Sequence, residues 1–217
     1  MVLAKRPLVC WTKTRLFSAY TPEEAAALYE AMLRDTIALA AGVPQTDLAI
    51  AMTPPDSILY FNEITPEGAL LIPVEGGHLG EVMEQVFSWL FKNGYRKVIV
   101  MNSDGPSLPP DYLTQGFQLL DAHDVVIGPS LDGGYYMLGM KALHRPLFRC
   151  IAWSSGNAFE QSRQRASAIR LTVAETPPWY DVDRPADVLM LARELLELPP
   201  DRLAHTRRFF ATCPPRG

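Results

Sequence analysis

What most constrains this chain is the alternation of short apolar runs with amphipathic helical stretches along its 217 residues. A run of about four or five aliphatic residues is too short for a stable helix and reads as a strand buried on both faces. Strands that alternate with helices build a mostly parallel sheet covered on both sides. The strand candidates are Val2–Leu3–Ala4, Leu48 to Met52, Leu70–Leu71–Ile72, Lys97 to Met101, Val125–Val126–Ile127, Tyr135 to Met140 and Leu171–Thr172–Val173. Thr21 as N-cap, Pro22 in the first helical position and Glu24 as capping-box partner open a helix that Gly42 is expected to close in the left-handed conformation. Leu79, Val82, Met83, Val86 and Leu90 keep helical spacing up to Gly94, and Pro109 opens a helix with Leu113, Phe117 and Leu120 on one face. Asn157 and Glu160 are spaced as a capping box for a polar helix reaching about Arg170, and Val188, Leu191, Leu195 and Leu198 mark the last helix. The fold class is α/β. Residues 1–198 read as one domain and 199–217, rich in proline and arginine, as a flexible tail. Ile58–Leu59–Tyr60–Phe61 reads as a buried strand, with a homodimer interface as the alternative.

Composition narrows the partners. Net charge is −4, so the basic excess that binds long nucleic acid is missing, and any phosphate must be held by a few local residues or a metal. Cys10, Cys150 and Cys213 lie far apart with no CxxC pair, which fits a reducing cytoplasm rather than a disulfide framework or a structural zinc. No stretch approaches ~18 consecutive apolar residues, so no helix is expected to cross a membrane. No GxSxG elbow, HExxH pair or Walker phosphate loop is present.

In open parallel sheets ligands bind beyond the carboxyl ends of the strands, so polar residues that directly follow strands carry the chemistry. Ser103–Asp104–Gly105–Pro106 follows the Lys97–Met101 strand. A carboxylate held there is a hard oxygen ligand of the kind Mg²⁺ takes together with substrate phosphates, and Gly105 leaves room for a ligand; a plain turn explains the stretch equally well. Asp132–Gly133–Gly134–Tyr135 follows the Val125–Ile127 strand. Its glycines allow close backbone approach and can aim N–H groups at anions, although a hairpin turn is the simpler local reading. In Tyr180–Asp181–Val182–Asp183, alternate residues of an extended segment put both acids on one side, while Asp183 also suits an N-cap. Lys5, Lys13 and Arg15 supply cations that can clamp phosphates, against the simpler reading of a solvated loop.

These pieces occur in order, and together they carry a resemblance. The stretches are TKTRL at 12–16, PEEAAALYEAML at 22–33, SDGPSLPPDYL at 103–113, IGPSLDGGYYMLGM at 127–140, WSS at 153–155 and YDVDRPADV at 180–188. In them the chain resembles the bacterial glycosyltransferase-like proteins of the nucleotide-diphospho-sugar transferase superfamily, the group labelled arsenosugar-type glycosyltransferases. More distantly it is similar to 2-phospho-lactate and molybdenum-cofactor guanylyltransferases. The resemblance implies a three-layer α/β/α sandwich of the Rossmann-like GT-A type, and a cytoplasmic, metal-dependent enzyme acting on a nucleotide or nucleotide-sugar and a small acceptor. It implies Asp104 and Asp183 as the carboxylates of a Mg²⁺ or Mn²⁺ ion. It places Lys5, Lys13, Arg15 and Ser103 near the phosphates, and Asp132, Gly133, Gly134, Tyr135 and Asp181 on the substrate side. The resemblance leans to glycosyl transfer from a nucleotide-sugar, with nucleotidyl transfer from a nucleoside triphosphate as the alternative and plain nucleotide binding as a further one. Where this family carries a glycine just before its KTRL motif, the present chain has Cys10–Trp11.

Overall fold

The structure, a computed structural model, describes residues 1–75, 77–153 and 155–216. Its strands are β1 (Val2–Lys5), β2 (Ala49–Thr53), β3 (Leu70–Pro73), β4 (Val98–Met101), β5 (Val125–Pro129), β6 (Tyr135–Met140) and β7 (Val173–Glu175). They form one sheet in the order β3-β2-β1-β4-β6-β5-β7. All run parallel except β6, which is antiparallel to β4 and β5 on either side of it. From β1 the chain builds outward to β2 and β3, then returns to place β4 on the other side of β1, so the strand order reverses between β1 and β4.

The helices are α1 (Pro22–Ala41), α2 (Ile58–Ile64), α3 (Leu79–Lys92), α4 (Pro110–Ala122), α5 (Ala158–Ala168), α6 (Pro185–Glu197) and α7 (Ala204–Thr212). Period-2 alternation divides the strands between two cores. Val2, Ala4, Ile50, Met52, Ile99, Met101 and Val126 pack with Tyr29, Leu33 and Ile37 of α1 and Leu113 and Leu120 of α4. Ala49, Ala51, Val98, Val100, Val125 and Ile127 turn the other way, against Met83, Val86, Phe87 and Leu90 of α3 and Ala166 of α5. The expected three-layer α/β/α sandwich is therefore the observed one.

The capping box that opens α1 is complete: the Glu24 N–H donates to Thr21 Oγ1 and the Thr21 N–H to Glu24 Oε2. Other local expectations are corrected. Gly42 stays right-handed (φ −76°), and the left-handed residue of that connection is Gln45 (φ 59°). The capping box expected at α5 is absent: Asn157 gives no side-chain cap, and Glu160 is engaged instead with Arg163 and Gln164 on its own helix. The 58–61 segment is helix α2, not a strand: Phe61 is buried and Leu59 is 76% exposed, a one-sided burial that four consecutive apolar residues cannot signal. The segment after Pro199 turns into α7, which joins α1 and α6 in a third core with Leu203, Phe209 and Phe210. The arginine content that reads as a solvated tail is used there. Arg207 Nη2 donates to the carbonyls of Leu195 and Leu198 and so satisfies the last turn of α6. Among the described residues no helix is long and apolar enough to cross a membrane.

Candidate active site

At the carboxyl edge of the sheet, above the point where strand order reverses, lies a crevice of about 770 Å³. Lys5, Lys13, Arg15, Ser103, Asp104, Asp132, Gly134, Tyr135, Asp181 and Asp183 all line it. Gly133 lies one position behind that wall, and of the WSS stretch Ser154 falls outside the described residues.

Two loops build the acidic centre. The first leaves β4 at Asn102, and the backbone N–H of Asp104 donates to Asn102 Oδ1 at 3.2 Å. The second is the extended stretch between β7 and α6. Its residue Val182 donates its N–H to the carbonyl of Asp104 at 2.8 Å, so the backbones carrying Asp104 and Asp183 are bonded directly to each other. Gly105 permits this approach: a Cβ there would meet the Tyr180 carbonyl at 3.0 Å. The room it leaves is taken by Trp179, Tyr180 and Asp181 of this extended stretch. Asp183 is not the N-cap of α6, since Asp187 accepts the N–H groups of Asp183 and Arg184, which leaves the Asp183 carboxylate to face the crevice.

Lys13 lies between the two acids. Its Nζ is 2.6 Å from Asp104 Oδ1, 2.7 Å from Asp183 Oδ1 and 2.7 Å from the Val182 carbonyl oxygen, and its side chain is only 6% exposed. Burial works against the ammonium, but the two carboxylates outweigh it and hold Lys13 above the usual lysine range, so it stays charged. Burial likewise pushes Asp183 upward, and the charges of Lys13 and Arg15 reverse that and hold it below the usual carboxylate range. Arg15 Nη1 reaches Asp183 Oδ2 at 3.1 Å. Lys13 itself has left-handed backbone angles (φ 50°), as does Cys10 (φ 67°).

Asp181 turns toward the other half of the crevice. Asn102 Nδ2 donates to its Oδ1 at 2.9 Å and Ser130 Oγ to its Oδ2 at 3.0 Å. Burial, with the charge of Asp104 close by, pushes its pKa up to about 6 despite those two donors. The Asp132–Gly134 stretch is the tip of the β5–β6 hairpin, so the turn reading and the crevice placement both hold. The glycine N–H groups are not aimed at a ligand. That of Gly134 donates to Asp132 Oδ1 at 2.9 Å and that of Gly133 to the Ser130 carbonyl at 3.1 Å. Gly133 (φ 87°) is there for packing, because a Cβ would lie 2.0 Å from the Gly156 carbonyl oxygen.

Sequence reasoning missed Asn102, Ser130 and the hydroxyl of Tyr29. Tyr29 reads as part of the apolar stripe of α1, yet its hydroxyl sits 2.8 Å from Ser103 Oγ and accepts the Lys5 N–H at 3.2 Å. Asn102 was within reach, since it is the first polar residue after a buried strand. Ser130 has no signal of its own.

Among the described residues no three His, Cys, Asp or Glu side chains gather as a ready metal cage. Three oxygens do converge on one cationic point, namely Asp104 Oδ1, Asp183 Oδ1 and the Val182 carbonyl, all held by Lys13. Two carboxylates with a carbonyl are hard donors of the kind Mg²⁺ and Mn²⁺ accept, and Mg²⁺ needs no more than one or two carboxylates when phosphates complete its shell. The residues present fit such an ion.

The fold and the crevice place the protein in the nucleotide-diphospho-sugar transferase fold class. A candidate nucleotide-diphospho-sugar transferase from Desulfovibrio desulfuricans G20 superposes with a TM-score of 0.88 at 28% identity, covering 97% of this chain and 94% of that one. More specifically, the chain belongs to the DUF2064 family, described as uncharacterized proteins conserved in bacteria, which it matches over residues 36–155. A cytidylyltransferase from Leptospira borgpetersenii shares the fold at 10% identity (TM-score 0.63, 98% of this chain and 93% of that one). So does a Mycobacterium tuberculosis protein solved as a manganese complex, at 14% identity (TM-score 0.51, 91% and 97%). No curated protein matches the chain.

Proposed function

We propose that this protein is a divalent-metal-dependent transferase acting on a nucleotide-activated substrate, with glycosyl transfer from a nucleoside-diphosphate sugar to a small acceptor as the first reading. One observation carries it: acids from two loops far apart in sequence converge with a carbonyl on a single cationic point at the carboxyl edge of the sheet. Its similarity to the Desulfovibrio protein supports the transferase class.

In this reading Asp104 and Asp183 hold Mg²⁺ or Mn²⁺, which supplies a Lewis acid for the diphosphate oxygens. The chain contributes positioning and fixed charge. Lys13 and Arg15 add cations that offset the charge gathering on the diphosphate as its bond breaks, and the Asp104–Val182 backbone bond fixes the spacing of the acids. Asp132, Gly134, Tyr135 and Asp181 line the half of the crevice left for the sugar and acceptor. The second reading is nucleotidyl transfer with release of pyrophosphate. It is favoured by the same cradle and by the cytidylyltransferase that shares the fold.

A thermal-shift panel of nucleoside triphosphates and nucleoside-diphosphate sugars, with and without Mg²⁺ or Mn²⁺, tests both. A ligand that binds only the folded state raises its stability, by about 2.7 kcal/mol at a hundredfold excess over Kd. Nucleotide-sugars are expected to stabilise the wild type only with metal, and Asp104→Asn is expected to abolish the effect. Stabilisation by triphosphates alone moves the assignment to nucleotidyl transfer, and a full shift retained by Asp104→Asn refutes the metal site.

A further inference from the structure

The proposed metal cradle already contains a cation, and that cation belongs to the protein. Lys13 Nζ lies within 2.7 Å of all three oxygens and 5.9 Å from the centre of the Tyr29 ring, and its side chain is almost wholly buried. An ammonium within 2.7 Å of all three oxygens stands at the point an ion coordinated by those same oxygens would take. We propose that Lys13 is a resident counter-ion that keeps the cradle closed to divalent metal in the free protein, so that metal enters only when Lys13 is drawn off it, as the phosphates of an incoming nucleotide would do. The proposal rests on the metal-dependent reading above and adds an order of events to it.

Charge balance supports it. In the free protein the carboxylates of Asp104 and Asp183 face the cations of Lys13 and Arg15, one for one. The third acid, Asp181, lies close enough to feel the charge of Asp104, but its own oxygens are held by the neutral donors Asn102 and Ser130. Adding a divalent ion to the balanced set leaves an excess of two positive charges, which a diphosphate restores. Metal and nucleotide are therefore each disfavoured without the other, and Lys13 is the group that couples them. The crevice that opens beside Lys13 is also lined by Lys5, Thr12 and Thr14, so the ammonium has space and polar surroundings to move into.

The test uses Mn²⁺ alone, without nucleotide, on the full chain. Free Mn²⁺ is measured by electron paramagnetic resonance in titrations of the wild type, Lys13→Met and Lys13→Gln, with Asp104→Asn as the site control; melting is followed in parallel. Lys13→Met keeps the buried aliphatic stem and removes only the charge. The wild type is expected to bind Mn²⁺ weakly and to melt at the same temperature with or without it. Both Lys13 variants are expected to bind at least tenfold more tightly and to melt higher in Mn²⁺, and a variant that folds only when Mn²⁺ is present supports the gate equally. Equal affinity in wild type and variants overturns the gate while leaving the metal site standing. Tight binding by the wild type alone overturns it whether or not the variants fold. No Mn²⁺ binding by any folded form removes the metal-dependent reading and the gate with it.

Discussion

Gly133 shows how a single residue can have a purpose its motif conceals. In the sequence the Asp-Gly-Gly run offers N–H groups to an anion. In the structure both N–H groups are used inside the turn, and Gly133 lets the loop around Gly156 close over the hairpin tip. Gly133→Ala combines a left-handed φ of 87° with a backbone contact at 2.0 Å. It should cost about 3 kcal/mol, one part conformational and one part overpacking. Urea denaturation checks this, and a loss under about 1 kcal/mol would mean that the loop moves aside freely. Cys10 shows the opposite case. Its left-handed φ of 67° is a shape that glycine adopts without cost, and nothing in the residue type announces it. Lys13 was legible as a cation near the site. Its seat on the acids was not, because sequence spacing gives proximity along the chain and says nothing of which charges meet across it.

At the scale of elements, α1 is tied to more of the molecule than its own apolar stripe requires. Asp35, in the second half of that helix and buried, accepts the N–H groups of His205 at 3.0 Å and Thr206 at 2.8 Å, and so caps α7 from outside that helix. Asp35→Ala should therefore destabilise the protein by about 2 kcal/mol, the loss of a cap plus one buried and one partly buried donor left unpaired. Asp35→Asn, which retains one acceptor oxygen, should lose less. Denaturant midpoints and protease cleavage within 199–216 read the two effects, and an unchanged midpoint for Asp35→Ala would separate α7 from the fold's stability. The regular elements themselves were largely legible. The buried strands and the long helices announce themselves by period, and the capping box of α1 by its residues. The elements that differ, α2 and α7, are short and sit where proline or mixed polarity obscures the period. For α7 the form is decided by tertiary partners such as Asp35 and Leu195, which lie outside the segment in sequence.

On the scale of the whole molecule, the C-terminal segment is fastened back onto the start of α1. Arg216 pairs with Glu24 at 2.7 Å, and its N–H donates to the Tyr20 hydroxyl. Hydrogen bonds from Arg216 and from the Thr21 backbone hold the Glu24 carboxyl down to about 2 from an ordinary 4.5. A folded-state value below the unfolded one makes the contribution complete above about pH 4.5 and removes it as pH falls toward 2. Glu24→Gln keeps the cap acceptor but loses the charge. Its stability deficit relative to wild type should be constant above about pH 5 and shrink below about pH 4, measured by urea titration at each pH; a deficit independent of pH would assign the effect to packing. The overall architecture was legible from alternation alone. The antiparallel insertion of β6 was visible only as a hairpin signal, since strand order depends on which edges pair and not on any residue in isolation.

The bond between the Asp104 carbonyl and the Val182 N–H has a temporal meaning as well as a spatial one. The acids and the lysine that meet there come from the first, middle and last parts of the chain, with Lys13 and Asp183 separated by 170 positions. Loop closure over such spans is entropically slow, and a chain made from its N-terminus emerges without the final partner until synthesis is nearly done. The charged centre is thus among the most non-local features of the molecule. A nascent or truncated chain that stops before Asp183 has no such centre, so the chemistry proposed for this site requires a chain made through that residue with its sheet closed.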